Sequence, residues 1–123
     1  MSQLVPHLLL RTDNGTSRAA ELLRTAGYMV SKVNDDGILE LIADAPHVDG
    51  VVVELPAMAA IAAARRIQAQ SIRSVAMVII TSSAEAVRRA LPSLPVLRSA
   101  EIDDDLISTV DRALVKQQMR LTG

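Results

Sequence analysis

A carboxylate closes one of the apolar runs of this chain. Asp49-Gly50-Val51-Val52-Val53-Glu54-Leu55-Pro56 carries consecutive valines into Glu54. An unbroken β-branched run predicts a central strand covered on both faces. Open α/β sheets build their sites at the carboxyl edges of such strands, so Glu54 is expected in the functional crevice. A carboxylate there can hold a cation, accept a transferred group or pair with a basic side chain. Polar residues close other apolar runs in the same way. Leu8-Leu9-Leu10 leads into Arg11-Thr12-Asp13, Val78-Ile79-Ile80 into Thr81, and Val96-Leu97 into Arg98.

The elements that must position these residues alternate regularly. Strands are expected over Leu4 to Leu10, Tyr28 to Val33, Gly50 to Leu55, Val75 to Ile80 and, weakly, Leu94 to Leu97. The last of these carries Pro95, which confines it to a sheet edge. Between them, Thr12 to Ser17 is a loop with helix-capping residues. A helix follows over Arg18 to Ala26, with Ala19, Leu22, Leu23 and Ala26 on one face and Gly27 as its terminating glycine. Asn34-Asp35-Asp36 caps a helix that turns Ile38, Leu39, Leu41 and Ile42 inward and closes at Pro46-His47. Further helices are expected over Ala57 to Ala69, Ala84 to Leu91 and Ile102 to Met119. The last places Leu106, Ile107, Val110, Leu114 and Val115 at helical spacing. Strand–helix alternation with short links predicts an α/β fold: a doubly wound, five-stranded parallel sheet with helices on both faces. Residues 1–123 read as one domain without linker or repeat.

Composition narrows the function classes. The chain has no cysteine, which removes disulfides, thiolate metal sites and thiol catalysis. Its 13 basic and 14 acidic residues give a net charge of −1, so bulk electrostatics predict neither nucleic acid nor membrane as a partner. Tyr28 is the only aromatic residue, which argues against base-stacking platforms. No apolar run reaches membrane-spanning length, and a cytoplasmic location is expected. The first loop has Gly15 alone, with no phosphate-cradling glycine spacing, and no nucleophile–base pair is visible, so no enzymatic activity is expected.

With these residues in order, the chain resembles the receiver domain of bacterial response regulators over roughly residues 4–118. Ala26-Gly27-Tyr28 resembles the common end of the first receiver helix. Asp49 to Leu55 resembles the strand that bears the phospho-accepting aspartate. Val78-Ile79-Ile80-Thr81 resembles the strand that ends in the conserved hydroxyl, and Val96-Leu97-Arg98-Ser99 falls at the lysine–proline pair. The resemblance implies a flavodoxin-like strand order of 2-1-3-4-5.

The site residues depart from the family pattern. Arg11-Thr12-Asp13 leaves one acid where receivers hold magnesium with two, so Mg2+ binding is expected to be weak or absent and no other cofactor is implied. Glu54 stands at the phospho-acceptor position, its carboxylate ~1.5 Å further out than an aspartate's. Arg98 replaces the lysine, Ser99 the proline, and Pro95 lies near the missing aromatic switch residue. Thr81 alone is kept. The degenerate receiver site therefore comprises Arg11, Thr12, Asp13, Glu54, Thr81 and Arg98, with no catalytic and no metal-ligating residue assigned.

Two readings of Glu54 stand side by side. It reaches towards Thr81 and pairs with Arg98 as a built-in mimic of a phosphorylated aspartate, or it forms a structural ion pair of the same geometry. For Asp13 a loop or capping role is favoured over metal ligation, and for Thr81 capping of the next helix. Asp103-Asp104-Asp105 reads as acid in a first helical turn, Arg65-Arg66 and Arg88-Arg89 as solvated faces. His7 and His47 lack ligand spacing, and Asp49 starts its strand at the end away from the crevice. The resemblance implies a non-phosphorylatable protein–protein interaction module in bacterial signalling. Its partner would be a signalling protein, either a histidine kinase or an output domain, or a second copy of the chain. The surface implied is Ala84 to Leu91, Leu94 to Leu97 and Ile102 to Met119, with Arg112, Lys116, Gln117 and Arg120 on the last helix. The alternatives are a phosphorylatable receiver with an unusual acceptor, Glu54 or Asp49, and an enzyme or small-ligand binder on a flavodoxin-like scaffold.

Overall fold

The computed structural model describes residues 5–13, 15–34, 48–70 and 75–122. The described elements are β1 (His7–Thr12), α1 (Arg18–Thr25), β2 (Met29–Val33), β3 (Val48–Glu54), α2 (Ala57–Gln70), β4 (Ala76–Thr81), α3 (Ala84–Ala90), β5 (Val96–Arg98) and α4 (Ile102–Thr122). The five strands form one parallel sheet of order β2-β1-β3-β4-β5. This is the flavodoxin-like order, with β1 and β3 at the point where the winding reverses. The helix expected around Ile38 to Ile42, and His47 with it, lies outside the described residues.

Alternation along the strands divides the core into two layers. Leu8, Leu10, Val52, Val78, Ile80 and Leu97 face α1 and α4, where Ala19, Leu23, Leu106 and Val110 meet them. Leu9, Val51, Val53, Met77, Ile79 and Val96 face α2 and α3, where Ala60, Ile61, Ala64, Ile67 and Val87 meet them. The central strands are apolar on both faces because both faces are covered. The alanine-rich α2 packs Ala60 and Ala64 fully against the sheet, which puts small side chains where the helix approaches closely.

Local chemistry sets the ends of the elements. Ser17 caps α1, its hydroxyl accepting the Ala20 N–H at 3.2 Å. Gly27 follows with φ 103°, the left-handed conformation that a helix-terminating glycine supplies. The strand boundaries differ from expectation by a residue or more. β1 starts at His7 and takes in Arg11 and Thr12, because Pro6 has no N–H to give a ladder. The Pro6 carbonyl still accepts from Met29 N–H at 3.0 Å. Likewise β3 starts at Val48, β4 extends to Thr81 and β5 is Val96–Arg98, with Pro95 just outside the edge strand. On α1 the second inward alanine, after Ala19, is Ala20 and not Ala26, which is exposed. On α4, Val115 is 55% exposed, and Gln117 is half-buried. This helix has 21 residues, about 32 Å, and it overruns the short strand β5.

Candidate functional site

Thr12 and Glu54 are direct neighbours in the β1–β3 ladder, at the carboxyl edge where the winding reverses. Partners in a parallel register share a face. Glu54 also pairs in register with Ile80, which belongs to the α1/α4 layer. Its side chain thus points to the α1 side of the sheet. There Glu54 Oε1 accepts the Thr12 hydroxyl at 2.8 Å and the Ser17 hydroxyl at 2.9 Å. Ser17 is buried and bonds at both ends, so a chain runs from Ala20 N–H to Ser17 Oγ and on to Glu54 Oε1. Two hydroxyl donors thus share one oxygen of the Glu54 side chain.

Thr81 and Arg98 lie one residue further on. They are partners in the β4–β5 ladder and fall on the opposite, α2/α3 face. Thr81 is 2% exposed, and its hydroxyl accepts the Ser83 N–H at 3.5 Å, in the turn leading into α3. Arg98 approaches Glu85 of α3 at 3.9 Å and Glu101 at 4.0 Å, both at the surface. The expected reach of Glu54 towards Thr81 and its pairing with Arg98 are therefore not found. The two-residue pleat places Glu54 and the pair Thr81–Arg98 on different sides of the sheet.

Arg11, in register with Val53 and Val33, has a side chain only 14% exposed. Its Nη1 donates to Asp13 Oδ1 at 2.8 Å, while the Asp13 side chain is 69% exposed. The β1–α1 loop is held further by Lys32, whose Nζ donates to the Gly15 carbonyl at 2.8 Å. Arg18 links α1 to α4 through Asp103 at 3.0 Å, and the hydrogen bonds it donates to Asp103 and then Glu21 hold its pKa above the ordinary value. Asp49 sits at the far end of β3, where its carboxylate accepts the His7 N–H at 2.9 Å. His7 Nε2 meets the Ser31 hydroxyl at 2.8 Å. Among the described residues, no three or more His, Cys, Asp or Glu side chains gather into a possible metal site. No described helix is long and apolar enough to cross a membrane.

The fold matches solved structures. A signal receiver domain of an HD domain-containing protein from Pseudomonas fluorescens superposes with a TM-score of 0.76 at 22% identity, over 94% of this chain and 99% of that one. The chain has the receiver fold. A second structure with the receiver-like arrangement, a Burkholderia pseudomallei protein named as pilus assembly-related, gives a TM-score of 0.59 at 20% identity over 90% of both chains. No protein-family model and no curated protein matches the chain.

Within the receiver fold, the residue that sequence reasoning left out of the site is Ser17. It was visible as a helix cap, and the signal for more was its position: the first helix after β1 starts beside the switch-point crevice.

Proposed function

We propose that this chain is a receiver-like protein–protein interaction module in bacterial signalling that does not carry out phosphoryl transfer and is not an enzyme. The observation that carries this reading is the hydroxyl cradle of Glu54. Its Oε1 is occupied by Thr12 and Ser17, on the side of the sheet away from Thr81 and Arg98. In-line phosphoryl transfer needs an acceptor oxygen, a cation and a positioned base or hydroxyl converging on one phosphorus. Here Glu54 Oε1 bonds to Thr12 and Ser17, while Thr81 bonds to Ser83 and Arg98 approaches Glu85 and Glu101. The donor set does not fit magnesium either. Asp13 is bonded to Arg11, whose charge opposes a cation, and octahedral coordination by hard oxygens needs more than one such carboxylate.

What remains of a receiver is its surface. The face formed by α3, β5 and α4 is proposed as the docking side for a signalling protein, and it carries Arg112 and Lys116. An amide NMR titration of the whole chain with magnesium tests the site. The signals of Asp13, Glu54, Ser17 and Thr81 are expected to stay fixed through millimolar Mg2+. Saturable shifts of these residues together would instead support a phosphorylatable receiver with an unusual acceptor.

A further inference from the structure

Between β5 and α4, at the end of the sheet away from Glu54, lies an open groove of about 420 Å3. That volume falls in the range of small-molecule sites, ~300–1,000 Å3. The groove exists because its facing residues are small: Ala76 on β4 and Ala113 on α4 leave space that larger side chains would fill. Leu94 and Leu97 complete an apolar floor. Arg112 and Lys116 stand on one wall, on successive turns of α4. Among the described residues neither forms an ion pair, whereas Arg11, Arg18 and Arg98 all do.

Strand addition does not suit this edge. Pro95 gives its carbonyl to Ile79 of β4, so the Val96 carbonyl points outward, and Arg88 already occupies it at 3.0 Å. The Arg98 N–H is likewise taken by Glu101 at 3.0 Å. An extended peptide therefore lacks the free backbone row that β-augmentation uses. An apolar floor under two cations without acid partners instead complements an apolar body with an anionic head.

We propose that this groove binds a small organic anion, its acyl or alkyl body over Ala76, Leu94, Leu97 and Ala113 and its carboxylate or phosphate head between Arg112 and Lys116. Arg supplies a planar fork and Lys a point charge, and both recognise either head group. The inference is independent of the phosphotransfer reading, because the groove shares no residue with Glu54, Thr12, Ser17 or Thr81; it lies on the α3, β5 and α4 face proposed above for docking, so the bound anion would compete with a protein partner for Arg112 and Lys116.

Four probes test it by NMR on the full chain: octanoate, octyl phosphate, 1-octanol and inorganic phosphate. Octanoate or octyl phosphate is expected to shift Ala76, Leu94, Leu97 and Ala113 saturably, and to bind at least ten-fold tighter than 1-octanol or inorganic phosphate. Whichever of the two binds tighter identifies the head group. The double variant Arg112→Gln/Lys116→Gln is expected to lose at least ten-fold in affinity for the anionic probe and nothing for 1-octanol. Ala113→Leu, which fills the groove without removing charge, is expected to abolish the shifts while the remaining amide spectrum is retained. Equal binding of 1-octanol, or no saturable shift with either anion at millimolar concentration, overturns the proposal.

Discussion

Ser17 is the side chain whose loss should be felt most for its size. Its hydroxyl caps α1 and donates to Glu54. Ser17→Ala is expected to lower unfolding free energy by about 1–2 kcal/mol, read by urea denaturation, since it removes a cap and a bond to a charged acceptor. Glu54→Gln keeps an acceptor oxygen for Thr12 and Ser17 and should cost less than about 1 kcal/mol, whereas Glu54→Ala strands both hydroxyls and should cost about 2 kcal/mol. That ordering is specific to a carboxylate held by hydroxyls. A carboxylate held by Arg98 would be damaged by Gln nearly as much as by Ala. The importance of Glu54 was legible from the valine run that ends in it, but its partners were not. Side-chain direction in a strand has a period of two, so an uncertainty of one residue in where β4 and β5 begin and end moves Thr81 and Arg98 to the other face. The sequence carries that boundary only weakly, because Thr81 continues an apolar strand without a break.

The two exposed edges of the described sheet share a device at the level of the element. Arg24 of α1 donates to the Val30 carbonyl of β2 at 3.1 Å, and Arg88 of α3 donates to the Val96 carbonyl of β5 at 3.0 Å. In each case an arginine on the helix preceding an edge strand occupies an outward carbonyl. Unoccupied edge groups template pairing with other chains. The double variant Arg24→Ala/Arg88→Ala is expected to lose about 1–2 kcal/mol in all and to form larger species on concentration, as measured by light scattering. An unchanged monodisperse solution would show that the edges are protected by something else. The elements themselves were largely readable. Ser17, Gly27 and the apolar periods place the described helices to within a few residues, and Pro95 marks an edge strand. The displaced start of β1 was hidden because Leu4 and Val5 look as strand-like as Leu8, and only the missing N–H of Pro6 separates them. Val115 shares helical spacing with Leu106 and Val110 yet is exposed, since spacing shows a face but not how far the sheet beneath it extends.

Over the whole molecule, one sheet ties the two core layers together, with β1, β3 and β4 contributing side chains to both. We propose that the chain unfolds as a single domain. Tyr28 fluorescence, which reports the α1/α4 layer, and far-ultraviolet circular dichroism are expected to give coincident urea transitions. Separate transitions would divide the chain into smaller units. Net charge of −1 leaves little long-range steering, so the recognition proposed for this chain has to rest on local features such as the groove under Arg112 and Lys116.

The receiver fold here is proposed to have given up its phosphotransfer chemistry, and intact mass spectrometry tests that loss most directly. The full chain is incubated with magnesium and a small-molecule phosphate donor such as acetyl phosphate, and its mass is followed with time. An unchanged mass, alongside full phosphorylation of an active receiver domain in the same tube, is the expected result. A gain of one phosphoryl group that disappears in Glu54→Gln would contradict the claim and make this chain a switch with a glutamate acceptor.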